Sequence, residues 1–437
     1  MTNCTQEVLS FPAIKRRKVQ AEFSGGDITS DGGVLFLRQM DKRLGLLESV
    51  DQILPDPRHQ EMIVHSQLSM LKQRIYGLCL GYEDLNDHTQ LRADPAIQTA
   101  LDCDSVLASQ STLCRLENRN HRQVMMDIHQ VFFKQFIASF KSPPKELVLD
   151  FDATDDPTHG RQEQTFFHGY YRHYCFLPLY VFCNEQLLVS YLRPSNIDGA
   201  KHSGAILKLL VNALRKQWPE VRIIFRGDGG FCRHHTLSWC ERNDVSYIVG
   251  YTRNKRLEAI IARSLQETME RFQKTQEKQR DFMDFYYGAM SWSQQRHIIA
   301  KLEVTDKGPN PRFIVTNLPG NAQELYDTIY CARGDMENRI KEQQLGLFAD
   351  RTSAHDWWAN QFRLLLSSLA YLLLEGIRRL ALKGTELEKA QATTIRLKLL
   401  KIGAIIIRNT RRIRFLLSSH YPYQDLFKLV SLRLQSG

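Results

Sequence analysis

The chain has 437 residues, 43% hydrophobic and 24% charged, a length and balance that suit a globular protein with two or three cores. No run approaches the roughly 18 uninterrupted apolar residues of a membrane span, and the opening MTNCTQEVLSFPAIKRRKVQ lacks the basic-then-apolar order of a secretory leader, so a cytoplasmic protein is expected. A formal charge of +10 favours a polyanionic partner, while nine cysteines without a C-x-x-C pair argue against a disulfide framework or a zinc site.

The first dozen residues and the basic tetrad Lys15-Arg16-Arg17-Lys18 read as a loose arm. From about residue 30 to 140 the spacing predicts helices. Val34, Leu37, Met40, Leu44 and Leu47 recur at helical intervals after a cap-type Ser-Asp-Gly-Gly, and VHSQLSMLKQRIYGLCLGY repeats the pattern towards Gly81. ADPAIQTALDCDSVLASQSTLCRLENRN predicts two short helices around a turn, the second carrying Arg115, Arg119 and Arg122. Helix-turn-helix DNA readers have this form, and so do unrelated helical hairpins. Residues 1–142 are therefore expected to be a helical DNA-binding region, closed by the Pro143-Pro144 pair.

Residues 143–252 change character. Strands are predicted at 146–153, 172–184 and 187–193, then a helix at 204–220, a strand at 221–228, a helix at 234–243 and a strand at 245–251. Three strands, helix, strand, helix, strand is the order of a ribonuclease H-like core, an α/β fold with a mixed sheet. Residues 253–320 interrupt it with a charged helix and strand-like stretches, a β-rich insertion. Residues 321–370 supply the final core helices. The last segment, 371–437, carries 13 lysines and arginines against four acids. Its densest part, RLKLLKIGAIIIRNTRRIRF, includes Arg408, Arg411 and Arg412 at spacing that predicts a helix with one face on the core and one on phosphates. A solvated helix face is the plain alternative.

Three acids stand out within this plan. ELVLDFDATDD ends an apolar strand with Asp150 and Asp152 on one face, where a buried charge survives only if something pairs with it. IIFRGDGGF ends a second strand at Asp228, with glycines leaving room around the carboxylate. In ELYDTIYCARGDMENRIKEQQ, steps of three and four put Tyr326, Tyr330, Arg333, Glu337, Lys341 and Gln344 on one helix face. Carboxylates from two strands and a helix suit two divalent metals about 3.5–4 Å apart that clamp a phosphate, with Arg333 and Lys341 on flanking phosphates. Mg²⁺ is the expected ion, and Mn²⁺ is expected to substitute. Asp150 remains an alternate ligand to Asp152.

Taken together, LRADPAIQTALD, LASQSTLCRLENR, LDFDATDDPTHGRQE, FRGDGGF, YCARGDMENRIKE and the basic tail resemble the DDE transposases of bacterial insertion sequences, specifically insertion-sequence family 1380. The resemblance spans essentially the whole chain. It implies Asp152 of a D-x-T motif, Asp228 and Glu337 as the catalytic, metal-holding acids. It also implies the Y-x2-R-x3-E-x6-K signature at Tyr330, Arg333 and Glu337. Gln344 stands where that signature has lysine, and Lys341, one turn earlier, is its substitute. It further implies cut-and-paste transposition, terminal inverted repeats and target DNA as double-stranded partners, a working homodimer and a nucleoid-associated location in a bacterial cytoplasm. Arg115, Arg119, Arg408, Arg411 and Arg412 are candidate DNA contacts. Trp292 of the insertion is the candidate to stack on a flipped base, with an ordinary core tryptophan as the alternative. A non-catalytic descendant kept as a DNA-binding repressor is the second reading.

Overall fold

The computed structural model describes residues 8–435 and divides into two compact units. One unit comprises the chain up to Arg119 together with 346–348 and 369–437; the other comprises 120–345 and 349–368.

In the first unit the basic tetrad is the tip of a hairpin rather than a loose arm. Leu9–Ile14 pairs antiparallel with Arg17–Ala21, and almost every side chain in it is exposed. The helices Val34–Leu44 and Leu46–Asp51 break at Gly45, whose φ of 59° lies in the left-handed region open to glycine. Helix Gln67–Leu80 starts at Ser66, whose hydroxyl accepts from Ser69 N, and ends at Gly81 (φ 96°). Its Arg74 pairs at 2.9 Å with Glu117, both buried. The two short helices are Pro95–Ala100 and Gln110–Asn118. Residues 101–109 separate them, more than the turn of about three or four residues in a helix-turn-helix.

The expected helix through Arg408–Arg414 is instead a β-hairpin, Ala404–Asn409 with Arg412–Leu417, extended by Ile28–Thr29. Ile405, Ile406 and Ile407 are β-branched and favour a strand. Their burial also alternates with period two, with Ala404 and Ile406 buried and Ile405 and Ile407 exposed.

In the second unit, helix α1 (Arg122–Ala138) leads into strands β1 (Glu146–Ala153), β2 (Leu179–Cys183) and β3 (Gln186–Tyr191), helix α2 (Ser203–Gln217), β4 (Arg222–Gly227), α3 (His234–Arg242) and β5 (Ser246–Tyr251). These five strands lie in the order 3-2-1-4-5, with β4 parallel to β1 and β5 and the β1–β2 and β2–β3 pairs antiparallel. This is the ribonuclease H-like mixed sheet. The strand expected over 172–184 is split: His173–Phe176 belongs to a small separate sheet, and β2 starts after Pro178, which has no amide to donate to a ladder.

The insertion contributes helix α4 (Lys255–Thr275) and strands β6 (Gln279–Tyr287), β7 (Arg296–Thr305) and β8 (Arg312–Thr316). These strands do not form a sheet of their own. They extend the main one, with β8 antiparallel to β5, then β7, then β6 at the edge.

Alternation along β1 and β4 sorts the two sheet faces. Leu147, Leu149, Phe151, Ile223 and Phe225 pack with Leu207, Leu210, Leu214, Leu237 and Ile261 of helices α2 to α4. Ile224 and Ile248 face the other way, with Leu325 and Tyr326 of the segment that leads to the third acid. Asp150, Asp152 and Arg226 share the parity of this second face.

Candidate active site

Asp152 stands near the end of β1 with its side chain 14% exposed. Asp228 follows β4 directly, and its Oδ1 accepts from Gly230 N at 2.8 Å. Glu337 lies on helix α5 (Arg333–Lys341), 42% exposed. Between them is Arg333, which reaches Asp152 Oδ2 at 3.3 Å and Glu337 Oε1 at 2.5 Å. Arg333 thus bridges two of the acids, and the charge of the third, Asp228, acts on both Arg333 and Asp152.

The electrostatics follow from that arrangement. Burial pushes Asp152 up to about 7; Arg333 opposes the shift, and the Asp228 and Glu337 charges add to it. Burial works against the charge on Arg333, but Asp152 and Glu337 outweigh it and raise its pKa further. Among the described residues no three His, Cys, Asp or Glu side chains are grouped closely enough to hold a metal ion. The donor chemistry nevertheless fits one: Asp152 and Glu337 share the Arg333 guanidinium, and the Asp228 charge bears on Asp152, so carboxylates outnumber the cation there.

Asp150 has a different partner. It is 2% exposed, and Arg226 grips both its oxygens, Nη2 at 2.6 Å and Nε closer still, while Arg226 Nη1 donates to the Ile329 carbonyl. The parallel register of β1 and β4 places Arg226 directly beside Asp150. Asp150 is thus engaged in a buried ion pair with Arg226, whereas Asp152 faces Arg333.

The third-acid segment is less regular than its spacing predicts. Leu325–Tyr330 and Glu342–Gly346 are π turns on either side of helix α5. The six-residue stripe is accordingly broken. Tyr326 packs into the apolar cluster, 5.5 Å from the Phe282 ring, and reaches only the wall of the cavity beside the site. Tyr330 stays close to the acids: a Cβ on Gly250 would lie 2.7 Å from its hydroxyl and 2.6 Å from Gly229 N. Glycine at 250 is therefore what lets β5, the Asp228 turn and Tyr330 close up. A cavity of about 660 Å³ opens here, lined by Tyr251, Thr252, Arg253, Arg312, Tyr330 and Arg333. Lys341 is exposed, and Gln344 donates to the Asp155 carbonyl at 2.9 Å.

The remaining candidates fare unequally. Trp292 is half-buried, 5.2 Å from the Tyr251 ring and 5.9 Å from Tyr287, with the Arg296 guanidinium 4.9 Å from its own ring. Its surroundings are those of a packed core tryptophan. In the first unit, Arg119 pairs with Asp56 at 3.2 Å and Arg408 donates to Gln98 and to the Pro95 carbonyl, so the chain itself occupies both. Arg115, Arg411 and Arg412 are exposed. Sequence reasoning missed Arg226 and Gly250. Arg226 was findable, since its two-residue offset from Ile224 puts it on the same face as Asp150 once β1 and β4 are paired.

The family described as transposase DDE domain group 1 matches this chain over residues 11–437. Among solved structures the chain is similar to a piggyBac transposase in a synaptic complex with hairpin DNA. Identity there is 10% and the TM-score 0.44, over 93% of this chain and 82% of that one. No curated protein sequence matches significantly.

Proposed function

The chain belongs to the DDE transposase family, and from that premise we propose that it moves a bacterial insertion sequence of family 1380 by cut-and-paste transposition. In this reading it hydrolyses DNA at the element's ends and then joins the freed 3′ hydroxyl to target DNA. The observation that carries the reading is that Arg333 bridges Asp152 and Glu337, while Asp228, at the end of the parallel neighbour strand, adds its charge to Asp152. Carboxylates placed this way have no packing purpose and need a cation.

Asp152, Asp228 and Glu337 would hold Mg²⁺, or Mn²⁺ in its place, which supplies Lewis-acid activation of the attacking oxygen and offsets charge at the scissile phosphate. The chain's own groups do the rest. Arg333 presents a planar fork that can exchange Glu337 for a phosphate. Lys341 extends the same helix surface as an exposed cation, and Gln344, bonded to Asp155, leaves the phosphate role to it. Tyr330 and the glycines at 230 and 250 keep the space beside Asp228 narrow enough for a backbone and too narrow for added side chains. Arg115, Arg411 and Arg412 are the first-unit contacts proposed for terminal inverted repeats, on a homodimer; Arg119 and Arg408 support those surfaces from within.

The test is cleavage of a labelled duplex that carries the element's own end, in Mg²⁺, with wild type and Asp228→Asn. Cutting by the wild type and loss of at least about a hundredfold in the variant, with binding retained by both, is expected. Equal cutting by both would remove the acids from the mechanism. Specific binding without cutting by either would establish the repressor reading in its place.

A further inference from the structure

A second cluster of cations lies on the other face of the same sheet, apart from the acids. Strand β3 runs in the direction of β1 and β4, because the β1–β2 and β2–β3 pairs are both antiparallel. Helix α2 follows β3 and helix α3 follows β4, so both begin at the end of the sheet where Asp152 and Asp228 stand. Neither has a side-chain cap: α2 starts from His202 in the left-handed conformation (φ 70°), and α3 starts from Arg233. Ser203 N of α2 is taken by the Ala200 carbonyl and Thr236 N of α3 by that of Arg233, which leaves Gly204 N and Ala205 N in α2 and His234 N and His235 N in α3 open to an outside acceptor.

Between the two helix starts is a pocket of about 480 Å³ lined by Lys201, Gly204, Lys208, Arg233, Thr236 and Trp239. Thr236 is 2% exposed, and its Oγ1 has no hydrogen-bond partner. A Cβ on Gly204 would come within 3.1 Å of that hydroxyl, so the glycine is what brings the α2 backbone and the threonine together. Lys201 and Lys208 are exposed, with Lys208 Nζ 5.7 Å from the Trp239 ring. Asp198 pairs with Arg233 at 2.7 Å and is the carboxylate on the rim. Two lysine charges remain in excess of that pair. Uncapped amides, a buried hydroxyl and surplus lysines together describe a phosphate cradle.

We propose that this pocket binds a backbone phosphate of duplex DNA, as a second anchor beyond the acid site. The proposal rests on the transposase reading above, which supplies the DNA. Arg233 lies five residues past Asp228, so a strand anchored here is tied to the loop that carries the second acid.

The experiment measures equilibrium binding of a labelled random-sequence duplex to the full chain as a function of salt. Each phosphate contact contributes about 0.9 to the slope of log K against log salt. Lys201→Ala/Lys208→Ala is expected to lower the slope by about 1 and the affinity at 0.15 M salt by about fivefold. Lys274→Ala/Lys307→Ala, which removes equal charge from exposed positions of the insertion, is expected to leave the slope nearer wild type. Thr236→Val is expected to weaken binding without changing the slope, because the hydroxyl carries no charge. An unchanged slope in the first pair, or an equal fall in both pairs, overturns the pocket while the transposase reading stands. Failure of the wild type to bind any duplex overturns both.

Discussion

Asp150→Asn and Asp152→Asn change two carboxylates on one face of β1 and are expected to fail in opposite ways. Asp150 is 2% exposed and Arg226 8%, and the pair is closed by Nη2 at 2.6 Å together with the Nε contact. Removing the charge leaves a buried guanidinium with a neutral partner, and breaking such a pair costs about 3–5 kcal/mol. An amide keeps one acceptor, so the lower end, about 3 kcal/mol, is the expectation. At an m-value near 3 kcal/mol/M that moves the urea midpoint by about 1 M. Tryptophan fluorescence reads this directly, because Trp218, Trp239, Trp292, Trp357 and Trp358, all five tryptophans of the chain, lie in the unit that holds the pair. Asp152 behaves differently. Its folded pKa of about 7 lies above the ordinary 3.8, so its ionised form opposes folding, and the stability present at low pH is lost as pH rises through 7. Asp152→Asn removes that loss, leaves the midpoint at pH 8 unchanged or higher, and abolishes cleavage. Asp150→Leu/Arg226→Met should regain most of the midpoint, since an apolar pair needs no counterion. If Asp150→Asn keeps the midpoint and stops cleavage while Asp152→Asn unfolds the unit, the two roles are exchanged and the reasoning is refuted.

Asp156 is 1% exposed, accepts from Thr352 Oγ1 at 2.6 Å and is pushed up by burial to about 8. It therefore contributes stability below its unfolded pKa that is lost at about 1.4 kcal/mol per pH unit up to pH 8, and Asp156→Asn should flatten urea midpoints measured from pH 5 to 8. Gly250→Ala places a methyl 2.6 Å from Gly229 N and 2.7 Å from the Tyr330 hydroxyl. It should cost about a hundredfold in cleavage rate through displacement of Asp228, with duplex affinity unchanged as the control. Deleting Thr328, an exposed residue in the π turn Leu325–Tyr330, should restore regular helix and turn Arg333 and Glu337 about 100° from the sheet. Cleavage should vanish with helical circular dichroism intact, and a deletion variant that still cuts would show that the π turn does not set the register of the acids.

The core was legible where period and punctuation agreed. Strand 146–153, the helix ending at Gly81 and the order that gives 3-2-1-4-5 all follow from alternation, helical spacing and glycine or proline stops. The sequence reading failed where one pattern admits two periods. Around Arg408 the apolar and basic residues satisfy a helical spacing, yet three consecutive β-branched isoleucines pull the backbone into a hairpin. It failed again in the third-acid segment, because the two π turns leave no mark in residue spacing. Partners were the other gap: nothing in a one-dimensional pattern shows that Arg119 turns inward to Asp56 while Arg115 stays in solvent.

The two cation contacts on this face of β1 differ in what fixes them. Asp150 meets Arg226 because strand pairing sets the residues side by side, and the Ile329 carbonyl holds the guanidinium from beyond. Only unpairing of β1 and β4 would separate them. Arg333 reaches Asp152 across the gap from helix α5, and its other contact is Glu337, one turn away on the same helix and 42% exposed. A rotation of the side chain is enough to release either acid. The inner pair is neutral as it stands, whereas Asp152, Asp228 and Glu337 set three carboxylates against one guanidinium. The inner position therefore gains nothing from a further cation, and the outer one is left with charge that a proton or an incoming cation offsets. Two carboxylates two residues apart thus differ in the mobility of their partners, which is why the proposed chemistry is assigned to Asp152 and not to Asp150.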